Sequence, residues 1–361
     1  MNDANELISF IASMSGEGNL RVEENLGEGY VRLRVSEAER RQAKHDIQHV
    51  EDIVIEMLRN ARDAGADKVY LATTKEDGVR TLVFLDNGSG VPQDMQERIF
   101  DARVTSKLES MKMDRWGVHG RGMALFSIKQ NTDEARVVAS DVDLGSVFKV
   151  SVATDRLGER ADQSSWPQAV KDEDGHYVCA RGPHNIIRAA CEFALEELRA
   201  CDVYLGSPSE IAATLHAQAS SRLDASRLLF IDDEAELPVV DRLGLASDVE
   251  DFIRICSGLG LEMSERTAHR ILAGQIKPVR GVTARLLRER DSSSHAPAPV
   301  DLAKDRRGLR IAKDDMAQFS RAVERDFNDL AARYYLNLCG DPKIRVSRDR
   351  ITVTFDLAKE E

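Results

Sequence analysis

Glu56, Asn60 and Asp63 stand at i, i+4 and i+7 in a stretch whose apolar residues, Ile47, Val50, Val54, Met57, Leu58 and Ala61, also recur at helical spacing. A stretch written this way is committed to an amphipathic helix. One stripe is apolar and must lie on a core, while the two carboxylates and the amide share the stripe beside it. Asn and Asp are poor residues for a helix interior, so their presence there needs a reason. Two further blocks follow in order. Asp86-Asn-Gly88-Ser-Gly90 ends the strand-like run Thr81–Leu85, and Gly117-Val-His-Gly120-Arg-Gly122 precedes a helical stretch near Met123–Lys129.

The surrounding text predicts mixed secondary structure. Val31–Val35 alternates like a strand, and Ser36-Glu-Ala-Glu39 has the form of a capping box. The helical stretch runs on from there to a natural stop at Gly65. Residues 69–72, 81–85, 135–139 and 145–150 read as strands, giving an α+β sheet covered by helices on one face. Residues 156–182 are polar and irregular, a connection or a hairpin. Helices are predicted over 185–199 and 208–221, then three short ones over 248–258, 264–273 and 282–290. Asp291–Pro299 is the clearest linker, followed by a helix over 314–336 and an alternating segment, Ile351–Phe355.

Each block has an ordinary reading and a chemical one. An amide oxygen such as that of Asn60 can bind a hard cation like Mg²⁺, and Glu56, one turn away, can orient and deprotonate a water. The same three residues also suit a solvated helix face. Asp86 at a strand end can accept from the exocyclic amine of adenine, or simply begin a good turn. The glycine block does not follow a strand, as a dinucleotide fingerprint requires, and it lacks the Gly-Lys-Ser/Thr ending of a Walker loop.

In order and spacing, the three blocks together resemble the GHKL ATPase superfamily of gyrase B-type subunits, the ninety-kilodalton heat-shock chaperone, histidine kinases and MutL. The likeness covers roughly residues 25–155 and leans toward MutL and the type VI topoisomerase B subunit. It implies a Bergerat α/β sandwich that binds ATP with Mg²⁺, followed here by a mainly helical C-terminal region. It makes Glu56 the general base, Asn60 the metal ligand, Asp86 the adenine reader, and Gly88 and Gly90 part of the pocket wall, with Asp63 beside them. Thr105-Ser106-Lys107 resembles a lid segment that encloses phosphates, and Gly117, Gly120 and Gly122 match the phosphate loop. A family Gly-Thr becomes Gly145-Ser146, which keeps the hydroxyl and loses the methyl. His45-Asp46 echoes a kinase phosphoacceptor but lies on the same helical stretch as Glu56, too close to reach a γ-phosphate in its own site.

With 361 residues, several units are expected: 1–160, the ATP domain with an N-terminal strap; 161–240, a connecting region; 241–290, a helix-turn-helix-like unit; 291–300, a linker; and 301–361, a helix plus β segment. The net charge of −12 excludes a surface that is basic throughout. From Ser264 to Arg290, however, seven basic residues (Arg266, Arg270, Lys277, Arg280, Arg285, Arg288, Arg290) face two acidic ones, a patch that could contact DNA phosphates. The resemblance to gyrase and MutL proteins also makes Lys277 a candidate γ-phosphate sensor. Five scattered cysteines suit free thiols, and with no signal peptide or long apolar run a cytoplasmic protein without membrane contact is expected. The expected activity is ATP hydrolysis that drives a conformational change or homodimerisation. The alternatives are a nucleotide-sensing DNA-binding regulator with little turnover, or a protein or histidine kinase.

Overall fold

The computed structural model describes residues 22–106, 112–119, 122–160, 162–198, 200–223, 233–287, 313–331, 336–340, 342–346 and 351–359. The expected strap before residue 22 and linker at 291–300 lie outside them. The chain divides into two compact units, Met1–Arg288 and Glu289–Glu361.

The first unit begins with an antiparallel hairpin, β1 (Val22–Gly27) and β2 (Tyr30–Leu33). Helix α1 (Glu37–Asp46) follows, and the predicted capping box is present. The Ser36 side chain accepts from the Glu39 N–H, and the Glu39 carboxylate accepts from the Ser36 N–H. The predicted single helical stretch is instead two helices, because α2 (Val50–Asp63) starts anew after an extended residue, Ile47. The Asp52 carboxylate accepts from the N–H groups of Gln48 and His49, both at 2.9 Å, capturing amides that a continuous helix would have bonded to its preceding turn. His45 and Glu56 therefore belong to different helices.

Strands β3 (Lys68–Glu76) and β4 (Val79–Asp86) form an antiparallel pair. Next come β5 (Val104–Thr105), which pairs with β2, and a small hairpin of β6 (Lys112–Asp114) and β7 (Gly117–His119). After α3 (Ala124–Asn131), strands β8 (Glu134–Ser140) and β9 (Ser146–Ala153) return to the main sheet. The polar segment after 156 contains a hairpin, β10 (Gln168–Lys171) with β11 (Tyr177–Arg181), and leads into α4 (Ile186–Glu196). Strand β12 (Asp202–Gly206) then pairs in parallel with β3, completing a five-stranded sheet in the order β12-β3-β4-β9-β8. The α+β architecture expected from the sequence is present.

Helices cover both faces of this sheet, not one. Leu71, Leu82, Phe84, Val150 and Val152 share a core with Ile53, Val54 and Leu58 of α2 and Phe193 of α4. Tyr70, Ala72, Val83, Leu85 and Val147, on the other side of the same strands, share a second core with residues of α5 (Pro208–Arg222), α6 (Val249–Gly258) and α7 (Glu265–Leu272). The reason lies in the strands themselves: Val69–Ala72 and Leu82–Leu85 are apolar at consecutive positions, so neither face can be left in water. A last short helix, α8 (282–287), adds Val282 and Leu286 to the first core. The segments expected as units 1–160, 161–240 and 241–290 thus share one compact body, because β12 lies in its sheet and α6 and α7 form its outer layer.

The second unit contains α9 (Lys313–Ala331) and two antiparallel pairs, β13 (Leu336–Leu338) with β16 (Leu357–Lys359) and β14 (Lys343–Val346) with β15 (Ile351–Thr354). Phe327 of α9 stacks on Phe355 with ring centroids 4.0 Å apart.

All five cysteines are free thiols, and only Cys339 is exposed. Burial pushes the Cys201 and Cys256 thiols up to about 12, so both stay protonated at neutral pH. In the native protein at pH 8, iodoacetamide should label Cys339 and leave Cys201 and Cys256 unmodified by mass spectrometry. Phe252, fully buried in the second core, tests whether the outer layer belongs to the sheet. Phe252→Ala should lower the stability of the whole first unit by about 3–5 kcal/mol in urea unfolding. A separate early transition confined to residues 241–287 would contradict the shared body.

Candidate active site

A cavity of about 580 Å³ opens between α2, the end of β4 and the segments around 105 and 123. Three sequence blocks meet there. From α2 come Glu56, Asn60 and Asp63; from the end of β4 come Asp86 and Gly90; from β5 and its continuation come Thr105 and Ser106. Gly122 and Ser146 complete the set of predicted residues that line it. The helix can present its polar stripe because its apolar stripe is spent on the sheet: Val50, Ile53, Val54 and Leu58 are fully buried.

Asp86 is 4% exposed, and its Oδ1 accepts from the Gly88 N–H at 2.8 Å, which fixes the carboxylate at the strand end. Gly88 is not on the cavity wall. It packs behind Asp86, where a Cβ would lie 2.8 Å from the Ala64 Cβ. Gly90 does form wall. Its φ is +71°, and a Cβ there would lie 1.8 Å from the Asp141 carbonyl oxygen. Opposite Asp86 in the β4–β9 register is Ser146, 3% exposed, whose Oγ lies 3.2 Å from the Ser140 Oγ. Ser140 in turn accepts from the Val91 N–H at 2.8 Å and lies 2.8 Å from the Gly145 carbonyl. The wall behind Asp86 is therefore a satisfied hydroxyl network.

The glycine block departs from the sequence reading. Gly117 opens β7 of a hairpin instead of a loop ahead of a helix. Lys112–His119 folds back on itself with its turn at Arg115-Trp116. Gly120 and Lys107 lie outside the described residues. Among the described residues, Gly122–Leu125 face the cavity on the approach to α3, whose N-terminus receives no side-chain cap from them. Uncapped first-turn amides at a helix start are suited to an anion.

Several lining residues carry no signal in the sequence. Ser127, 1% exposed on α3, has an Oγ with no partner among the described residues. Tyr30 reaches in from β2; burial raises its pKa against the opposing effect of a hydrogen bond with Ser106. Trp116, at the hairpin turn, also lines the cavity and stacks on Phe193 of α4. The Asn60 Nδ2 is buried without a partner among the described residues.

Behind the polar stripe runs a buried ion network. Arg59 Nη1 donates to Glu56 Oε1 at 2.6 Å, while its Nε and Nη2 donate to the two oxygens of Asp114, both at 2.9 Å. Arg62 bonds Asp63 and Asp114 at 3.1 Å and Glu197 at 3.2 Å. Burial alone would favour the neutral guanidine of Arg62, but these carboxylates outweigh it and raise its pKa.

The basic segment 266–290 is arranged differently from a free-standing helix-turn-helix. Ala268 and Ile271 of α7 are buried in the second core, leaving Arg266 and Arg270 exposed. The Arg285 guanidinium sits 3.9 Å from the centre of the Trp166 ring. Arg288 and Arg290 lie outside the described residues. Lys277 does not line the cavity, and its neighbours Ile276 and Val279 pack on the second core, on the side of the sheet away from α2.

The close approach at Gly90 can be measured. Gly90→Ala and Gly78→Ala both place a side chain at positive φ, but position 78 has open space around it. Gly78→Ala should cost about 1 kcal/mol in urea unfolding, and Gly90→Ala clearly more, because only there must the Asp141 loop also move. Equal costs would show that the loop yields freely.

Comparison with known proteins agrees with this geometry. Residues 47–140 match the family model described as histidine kinase-, DNA gyrase B- and HSP90-like ATPase. The DNA mismatch repair protein MutL of Staphylococcus aureus, in strains Newman, JH1 and N315, is 28% identical over 136 residues. That match covers 35% of this chain and only 20% of each relative. Residues 47–140, which contribute α2, β3, β4, the glycine-lined wall and α3, are a domain of the GHKL ATPase superfamily.

Proposed function

We propose that this cavity binds ATP together with Mg²⁺ and hydrolyses it, and that nucleotide occupancy changes the conformation or dimer state of the chain. The observation that carries the reading is the meeting of Glu56 and Asn60 from α2 with Asp86 from the end of β4 on one cavity. Electrostatics points to a cation. Glu56, Asp63 and Asp86 line the cavity together with Arg59, and because Glu56 and Asp63 are already paired with Arg59 and Arg62, the charge of a triphosphate would have to be met by a cation that came with it. Among the described residues, no group of three or more His, Cys, Asp or Glu side chains is placed to hold an ion alone. That favours an ion held mainly by phosphates and water.

Each residue then has a task. Asp86, oriented by the Gly88 N–H, accepts from the exocyclic amine of adenine. The uncapped start of α3 and the hydroxyls of Thr105 and Ser106 face the phosphates. A half-turn of the Asn60 amide exchanges its unpartnered nitrogen for its oxygen, a suitable ligand for a hard cation. Bound there, Mg²⁺ would neutralise developing charge on the transferred phosphoryl group. Glu56 orients the attacking water and takes its proton. For the dimeric state, the strand pair β1–β2 is the proposed contact. The reading does not extend to mismatch repair, which is printed for relatives matched over a fifth of their length.

Glu56→Ala should reduce ATP turnover by roughly 100-fold or more while calorimetric ATP affinity stays near wild type. Asp86→Asn should weaken binding by roughly 10-fold or more, the cost of a lost charged hydrogen bond. Normal turnover in Glu56→Ala would remove Glu56 from the chemistry. Unchanged mass with and without a nonhydrolysable ATP analogue would count against the dimer switch.

A further inference from the structure

The buried Arg59–Asp114 pair joins two parts of the cavity that the sequence keeps 55 residues apart. Arg59 is 3% exposed, and its guanidinium is fully committed in direction. Nε and Nη2 form two parallel bonds to Asp114, which fixes the plane of the group, and Nη1 is then aimed at Glu56 Oε1. A planar fork with three donors in use is something only arginine can supply. Asp114 is the last residue of β6, and its Oδ1 also accepts from the Trp116 N–H at 3.0 Å. Trp116 is both a cavity wall and, through Phe193, a contact to α4; Arg115 beside it lies 3.5 Å from Glu192 of the same helix.

Resting on the hydrolysis reading above, we infer that Arg59 and Asp114 are positioning residues. They tie the 112–119 hairpin to the Glu56 carboxylate, so that the hairpin must be seated for the carboxylate to be held where it can serve as base. A ligand that presses on Trp116 acts through the same bonds. With Asp114 in place, the guanidinium plane is fixed and Glu56 has one orientation. Without it, the guanidinium loses the two-bond fork that sets its plane, and its bond to Glu56 Oε1 loses that direction. A simple structural role for the pair is less suited to the geometry, because α2 is already anchored by its opposite stripe, where Ile53, Val54 and Leu58 are fully buried.

The test uses Asp114→Asn, which keeps shape and removes the charge, and Arg59→Lys, which keeps the charge and loses the fork. Both should lower kcat by roughly 10- to 100-fold, the scale of a small misplacement of a reacting group, with KM for ATP changed by less than about 3-fold. The double variant should lose no more than the worse single variant, because both break one connection. Wild-type kcat in Asp114→Asn, losses that multiply, or a loss carried by KM would each overturn the inference.

Trp116 supplies a readout independent of turnover. The chain has two tryptophans, so in a Trp166→Phe background its emission reports on the hairpin alone. Asp114→Asn should shift that emission to longer wavelength while circular dichroism shows the fold intact. An unshifted spectrum would overturn the hairpin connection. Should the unmodified chain bind ATP yet never release phosphate, the hydrolysis reading fails, while the Trp116 measurement still decides whether Asp114 seats the hairpin.

Discussion

The rotation of α2 about its own axis is the constraint on which the site depends. Val50, Ile53, Val54 and Leu58 are completely buried and join Leu71, Phe84 and Val152 of the sheet in one core. Burying each such side chain is worth about 1.5–3 kcal/mol, so a helix turned to expose them would forfeit more than any polar contact at the cavity could return. With that stripe held, Glu56, Asn60 and Asp63 have no choice of direction. The position of Asp86 follows from the same core, since Phe84 places the end of β4 beside α2. The chemistry is thus oriented by apolar packing, and the polar residues contribute little to deciding where they lie.

Charge is managed in two layers around the cavity. Carboxylates line it together with Arg59, and Arg62 sits behind them. Arg59 is buried and Arg62 partly so, yet each meets more than one carboxylate, which is the condition under which buried ions are tolerated. Such networks are weak evidence for stability but strong evidence for fixed geometry, because breaking one contact strands a charge in a low-dielectric interior. The hairpin that carries Asp114 therefore has few alternative ways to sit on α2.

The second face of the sheet changes the meaning of the segment after residue 240. Three short helices with several arginines suggest a free-standing binding module when they are read alone. In the folded chain, Phe252, Ile255, Ala268 and Ile271 close the far side of the sheet, and β12 enters the sheet itself. A layer that buries Tyr70, Val83 and Leu85 serves stability first. The third short helix belongs to the first core instead, where its Arg285 lies over Trp166.

Local periodicity was enough to read the capping box at Ser36, the two stripes of α2 and the strands at 69–72 and 81–85, whereas the meeting of Glu56 and Asn60 with Asp86 was implied only by the resemblance to the GHKL superfamily. Helical and strand repeats bring residues together over a few positions, so spacing alone carries that information. The break at Ile47 needed one side chain, Asp52, to take two backbone amides, and the glycine block became a hairpin only through pairing across Arg115-Trp116. Ser127 on the cavity wall, the cover over the second face and the Arg59–Asp114 connection were decided by tertiary structure. Those contacts join segments far apart in the chain, and nothing in the spacing of one segment specifies which distant segment will fold against it.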